Sequence, residues 1–242
     1  MFSINFLVAA AVVPAVILLY LVYRLDKIEK EPLSLLGKLL MWGAISCIPA
    51  AVLEGLMTWA LNSTYSIEEG SLLYAFMEGF VVAALVEESL KFLFLYLVTF
   101  KNREFNYRFD GVIYAVFMSM GFAILENILY VLSNGFSVAI MRALLSLPLH
   151  ATCGVYMGIS YGQQKVRSLQ QPASMGRVAM ACLPMSILIH GFYDFCAFAV
   201  EEYPIFFLVF LAFVITVFIV TVIRLKRASR EDRPVEGVMY DA

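Results

Sequence analysis

The last apolar stretch of the chain, residues 204–223, reads PIFFLVFLAFVITVFIVTVI and contains no charged side chain. About 20 apolar residues are enough for a helix to cross a bilayer. Six further apolar stretches cover residues 2–23, 36–60, 71–100, 111–132, 138–160 and 178–200. They lack the alternation, over segments of about 10 residues, that is typical of a membrane β-barrel. We therefore predict an all-α fold, a polytopic transmembrane helical bundle of about seven spans.

The overall composition excludes several classes of protein. Of the 242 residues, 62% are hydrophobic and only 15% are charged, whereas soluble domains average about 45–50% and about 25%. A soluble enzyme, a nucleic-acid-binding protein and a disulfide-stapled secreted domain are therefore excluded. The lipid bilayer is the expected environment, with a single transmembrane domain over 1–223 and a cytoplasmic, basic and polar tail over 224–242.

The distribution of Lys and Arg predicts the orientation of the bundle. All but two of the 17 basic residues lie in or beside the segments that follow the first, third, fifth and last spans. Basic residues are retained on the cytoplasmic side, so we expect the N-terminus outside and the C-terminus in the cytoplasm. The first basic residues of the tail are expected to contact anionic lipid head groups.

Ionisable side chains also occur inside the spans, where each costs about 2.5–3.5 kcal/mol. Span three contains LVEESLK at 85–91, and span four contains GFAILEN at 121–127. Spans five and six contain the only two histidines of the chain, His150 and His190. Counted along their helices, these groups reach a similar depth in the middle to outer part of the membrane. We expect the four spans to face one another across a wet cavity.

The spacings favour specific pairs of side chains. Glu87 and Lys91 are four residues apart with the acid first, and Glu88 lies three residues from Lys91; both spacings bring helical side chains together. Such a group can hold one carboxylate as a base near neutral pH. His190 and Asp194 also share one helix face.

Purely structural roles are the alternative for these residues. The Glu-Glu-Lys group could be a buried ion-pair staple, and Glu126 with Asn127 could hydrogen-bond neighbouring helices together. Convergence of four spans at one depth favours a functional site instead. Glu54, Glu78 and Arg142 are interpreted as structural or interfacial.

Together the motifs resemble the PrsW family of bacterial intramembrane proteases. They are EExxK at 87–91, FxxxEN at 122–127, His150, and HGFYDF at 190–195, with KIEKEP at 27–32 and DG at 110–111 nearby. The resemblance runs from about residue 24 to residue 200. The family is distantly similar to the CAAX prenyl protease and bacteriocin-processing superfamily, which has His where this sequence has Glu126.

The resemblance implies an intramembrane endopeptidase, a multi-pass protein of the bacterial plasma membrane. Its implied substrate is a single-span membrane protein such as an anti-sigma factor, which receives its first cut on the extracytoplasmic side. The rival interpretation is a proton- or ion-coupled transporter that uses the intramembrane Glu and His residues as a relay.

Two mechanisms are open for the predicted site, and the first needs no metal. Glu87 acts as the general base, while Glu88 and Lys91 set its charge and orientation; the two Glu roles can be exchanged. His190 and Asn127 are the candidates that stabilise the oxyanion or protonate the leaving group.

The second mechanism uses a metal ion. Glu126, His150 and His190 would form a zinc site with an open fourth position, although the chain has no HExxH motif. In the mechanism without a metal, Asp194, one turn beyond His190, is expected to orient that histidine.

Overall fold

The fold is known from a computed structural model that describes residues 3–64 and 67–235. Its helices are α1 (Ile4–Tyr23), α2 (Leu33–Thr64), α3 (Leu72–Phe76), α4 (Leu85–Thr99), α5 (Asp110–Asn134), α6 (Phe136–Leu144), α7 (Ser146–Gln170), α8 (Met175–Ala199) and α9 (Ile205–Arg230). A π-helical segment, Met77–Ala84, joins α3 to α4. The two described ranges contain no β-strand, which confirms the predicted all-α fold.

The helices account for the predicted membrane spans. Six helical segments of the described chain are long and apolar enough to cross a bilayer. The predicted third span, 71–100, corresponds to the continuous path through α3, the π-helical segment and α4. This path is not among the six apolar segments, because it contains the charged Glu-Glu-Lys group. The protein is a multi-pass membrane protein.

The predicted fifth span, 138–160, is two helices. The chain leaves α6 at Leu145, whose backbone angles (φ −120°, ψ −60°) are not helical, and α7 begins at Ser146. Pro148 stands in the first turn of α7, where a missing N–H removes no helical hydrogen bond. The break places His150 near the start of a new helix.

Helix α5 is the centre of the bundle and packs against α1, α2, α4 and α7. Its residues 110–123 are all buried, as expected for a helix surrounded by other helices. Glycines let α7 approach it closely: a Cβ at Gly158 would lie 2.5 Å from the backbone oxygen of Gly111. Small residues at such interfaces are common in membranes. This packing brings Glu126 of α5 close to His150 of α7.

The four basic segments of the chain lie at one end of the bundle. The contacts that join them are Lys165 Nζ with the Phe100 carbonyl (2.7 Å), Arg108 N with the Arg233 carbonyl (3.1 Å), and Asn106 Nδ2 with Glu29 Oε2 (3.2 Å). Helix α9 continues to Arg230. The first residues of the predicted tail, from 224 to 230, are therefore helical. Residues 236–242 of that tail lie outside the described ranges.

A group of buried carboxylates lies at this same end. It consists of Asp26, Glu31 and Asp110, and is called the basic-end acidic network below. The Tyr114 hydroxyl donates to Glu31 Oε2 at 2.6 Å, and two backbone N–H groups donate to Asp110 Oδ2. Burial raises the pKa of Asp26 to about 6 and that of Glu31 to about 7.

Candidate active site

Four helices bring ionisable side chains to one layer of the bundle. These are Glu87, Glu88 and Lys91 on α4, Glu126 on α5, His150 on α7, and His190 and Asp194 on α8. Helix α4 starts where the π-helical segment ends, and π-bulges are frequent at functional sites. A Cβ at Gly79 of that segment would lie 2.7 Å from the Phe195 backbone nitrogen. The absence of a side chain at this position therefore allows α8 to approach the glutamate pair.

Lys91 is the centre of the layer. Its Nζ lies 2.8 Å from Glu87 Oε2, 2.8 Å from Glu88 Oε1 and 3.0 Å from His150 Nδ1. It also lies 4.1 Å from the ring centroid of Phe122, a favourable position for a cation. One fully buried ammonium thus holds two carboxylates and one imidazole in fixed positions.

The two nitrogens of His150 have different partners. An ammonium can only donate a hydrogen bond, so Nδ1 accepts from Lys91. The Nε2 atom then carries the hydrogen and donates to Glu126 Oε2 at 2.9 Å. Arg142 NH2 lies 2.7 Å from the same Glu126 oxygen. Glu126 therefore fixes the ring of His150 from the side opposite Lys91.

Both nitrogens of His190 face carboxylates. Nδ1 lies 2.9 Å from Glu88 Oε1, and Nε2 lies 3.2 Å from Asp194 Oδ2. Nε2 is also 4.0 Å from Glu87 Oε2, the same distance that separates that oxygen from His150 Nδ1. Glu87 thus lies between the two imidazoles, and Asp194 is placed to orient His190.

The layer has a closed side and an accessible side. The side chains of Glu88 and Lys91 are fully buried, whereas those of Glu126 and Asp194 are 18% and 19% exposed. Glu87 retains 7% exposure. Exposure therefore rises from Glu88 through Glu87 to Glu126 and Asp194.

Asn127 does not join this layer. Its Nδ2 donates to the Ala11 carbonyl at 2.8 Å, and its Oδ1 accepts from Arg142 Nε at 2.9 Å. Both ends of the amide are therefore engaged away from Glu87 and His190. Arg142, which the sequence indicates to be structural or interfacial, contacts Glu126 directly. Its position inside an apolar stretch was the signal that could have identified it.

In the described part of the chain, the side chains that could hold a metal ion are Glu87, Glu88, His150 and His190. One ligand atom from each lies within 4.8 Å of the other three, and all four residues are buried. Glu126 is not a member of this group, because it contacts the outer nitrogen of His150. The converging set therefore differs from the predicted set of Glu126, His150 and His190.

Comparisons with known proteins identify the family of the chain. The profile of the family described as PrsW family intramembrane metalloprotease matches residues 31–223. A protein named Protease PrsW from Geobacillus kaustophilus is 33% identical over 197 residues, which cover 81% of this chain and 82% of that protein. Proteins of the same name from Oceanobacillus iheyensis and Bacillus subtilis are 31% identical over 223 residues and 30% identical over 206 residues. These matches cover 92% and 84% of this chain, and 96% and 88% of those proteins.

No solved structure matches the chain. The family profile nevertheless covers most of the bundle and all four helices that carry the ionisable layer. The chain belongs to the PrsW family of intramembrane proteases.

Proposed function

We propose that Glu87, Glu88, His150 and His190 form the catalytic centre that hydrolyses a peptide bond of a membrane-anchored protein. The observation that carries this proposal is their convergence, with ligand atoms within 4.8 Å of one another inside the bundle. Burying several ionisable groups in a membrane is costly and marks functional sites. The helices that supply them are far apart in sequence, so the cluster is not a by-product of one helix.

The donor set also fits a zinc ion. Two imidazole nitrogens and carboxylate oxygens are its usual ligands, and Glu88 Oε2 is buried with no hydrogen-bond partner among the described residues. We assign Glu88, His150 and His190 as the residues that would hold the metal. When bound, the metal would supply a water of lowered pKa and polarise the scissile carbonyl.

Glu87 is proposed as the general base. It is the more accessible glutamate of the pair, and its Oε2 lies 4.0 Å from both imidazoles. That distance is too long for a direct hydrogen bond and suits contact bridged by one water-sized group. Glu87 would take a proton from the attacking water and return it to the leaving amine.

Three residues are proposed to orient the centre rather than to react. Glu126 and Asp194 each accept from the outer nitrogen of a histidine, an arrangement that fixes ring orientation in metal sites. Lys91 balances the charge of the glutamate pair. Its ammonium and a metal cannot both bind His150 Nδ1, so the ammonium must withdraw from that nitrogen when a metal binds.

The proposed substrate is a single-span protein such as an anti-sigma factor, cut on its extracytoplasmic side in a bacterial plasma membrane. Family resemblance is the source of this assignment. The position of the centre supports it, because His150 lies in the second turn of α7, at the end away from the basic segments. That end is the predicted outer side of the membrane.

The test is cleavage in proteoliposomes. Full-length protein would be reconstituted with a panel of tagged single-span proteins, including anti-sigma factors, and the products mapped by mass spectrometry. We expect a cut near the outer end of the substrate span. Proton flux without cleavage of any panel member would overturn the proposal in favour of an ion relay.

Metal dependence is tested on the same preparation. We expect about one zinc per chain by elemental analysis, loss of cleavage with a membrane-permeant chelator, and recovery on adding zinc. Replacement of His150 by Ala should remove the metal. Full cleavage by protein that contains no metal would instead establish the mechanism based on Glu87 alone.

A further inference from the structure

A cleft at the basic end of the bundle lies apart from the catalytic layer. It encloses about 520 Å³ between α5, α7 and α9. Its lining has two chemical parts. One is apolar and includes Val112, Ile159 and Val220, and the other is basic and consists of Arg108, Arg224 and Arg227.

The apolar part faces the environment of the acyl chains. Helix α9 is the most apolar and least buried of the candidate spans, and Val220 and Ile223 are 36% and 60% exposed. Val112 and Ile159 form the floor on α5 and α7. A hydrocarbon chain lying along this wall would cover the exposed apolar surface of Val220 and Ile223 on α9 and of half-buried Ile159 on α7.

The basic part has guanidinium groups free to bind an anion. Among the described residues, no hydrogen bond or ion pair engages the side chain of Arg108 or Arg224; Arg224 lies over the Tyr156 ring at 5.5 Å. Arg227 pairs with Glu231 at 2.7 Å, but both side chains are mostly exposed, so this pair is weak. The cleft therefore keeps a net positive charge.

Nearby acids do not cancel this charge. Asp232 interacts electrostatically with Arg108, but its Oδ1 is occupied by the backbone N–H groups of Phe109 and Arg233 at 2.8 and 2.9 Å. Among the described residues, Glu231 is the only acid that lines the cleft. A phosphate can therefore approach Arg108 and Arg224 without displacing a buried carboxylate.

We propose that this cleft binds one anionic phospholipid, with its phosphate on Arg108 and Arg224 and an acyl chain along Val112, Ile159 and Val220. Basic pockets between transmembrane helices on the cytoplasmic side bind such head groups in other proteins. The lipid would tie α9 to α5 and α7. A free phosphate would use the same arginines but leave the apolar wall uncovered.

The test is native mass spectrometry of the full-length protein released from neutral detergent. The protein is titrated with phosphatidylglycerol, with phosphatidylcholine of the same acyl chains, and with glycerophosphoglycerol, the soluble head group. We expect one retained phosphatidylglycerol per chain, weak retention of phosphatidylcholine, and no competition by the soluble head group. Equal retention of both lipids, or equally tight binding of the soluble head group, would overturn the proposal.

Variants locate the site. Arg224→Gln should weaken phosphatidylglycerol binding about tenfold, the effect of losing one charge-assisted contact, and adding Arg108→Gln should weaken it further. Lys226→Gln is the matched control, because Lys226 is an exposed base on the same helix outside the cleft lining. Unchanged binding by the double variant would refute the assignment. Thermal melting without lipid verifies that each variant is folded.

Discussion

The protein buries carboxylates in two places, and it neutralises them differently. In the catalytic layer, Glu87 and Glu88 share the Lys91 ammonium, and Glu126 is paired with Arg142. In the basic-end acidic network, the hydroxyl of Tyr114 and backbone N–H groups donate hydrogen bonds to Glu31 and Asp110, and Lys30 acts on Asp26 only electrostatically. The first arrangement keeps charged groups ready to react inside lipid. The second favours protonated acids and holds loops together.

This difference predicts opposite outcomes for the same substitution. Glu87→Gln should lower the rate of cleavage by about 10²–10⁴-fold, the usual contribution of a general base. Glu31→Gln keeps the acceptor for Tyr114 and should cleave like wild type. Both rates would be measured on one reconstituted substrate. Similar rates for Glu87→Gln and wild type would remove Glu87 from the mechanism.

Removal of a cation should also affect stability differently in the two regions. Lys91→Met leaves two glutamates without their common partner, and breaking a buried ion pair in this way costs about 3–5 kcal/mol. Lys30 is exposed; it donates to two backbone carbonyls and lies over the Tyr23 ring at 4.4 Å. Contacts of this kind at exposed sites are weak, so Lys30→Met should cost about 1 kcal/mol or less. The melting temperatures of the two variants would be compared in detergent. If Lys30→Met is the more damaging variant, the charge balance assigned to the two regions is wrong.

Glu126→Gln should have an intermediate effect. Loss of the carboxylate that orients a metal-binding histidine lowers metal affinity or activity by about 10–100-fold. Zinc affinity, measured by competition with a chelating dye, is the readout because a structural role alone would leave it unchanged. A fall in melting temperature with wild-type zinc affinity would make Glu126 a packing residue.

The smallest expected effect is a change in the pH dependence of folding stability. Burial raises the pKa of Glu31 to about 7 and that of Asp26 to about 6, so the folded state holds protons that the unfolded state releases at lower pH. Stability should therefore fall as pH rises from about 4 to about 7. Glu31→Gln should flatten this decline in melting temperature. An unchanged pH profile in that variant would mean that Glu31 does not titrate in this range.

The all-α bundle could be predicted from the apolar stretches, and the layer of ionisable side chains could be predicted because charges inside a membrane span are conspicuous. The direction in which each side chain points could not be predicted. Glu126 and Asn127 are adjacent, but successive helical residues point about 100° apart, so one faces His150 and the other faces α1. That choice depends on which helices flank α5, and a single sequence does not specify the neighbours.

Contacts between segments distant in the chain could not be predicted from the sequence either. The break at Leu145 and the docking of residues 232–235 against the loop before α5 depend on tertiary packing. The spacing of Gly154, Gly158 and Gly162 on α7 was visible in the sequence and could have indicated a close helix–helix interface. The contact of Arg142 with Glu126 could not be predicted, because a base near the end of a span is usually interfacial.

The central claim is that residues from separate spans act as one catalytic centre, and a double-variant cycle tests it most directly. The residual cleavage rates of Glu87→Gln, His190→Ala and the double variant would be compared on one substrate. Residues that act as a unit are strongly non-additive, so the double variant should be no slower than the slower single variant. A double variant whose loss equals the product of the two single losses would contradict the claim.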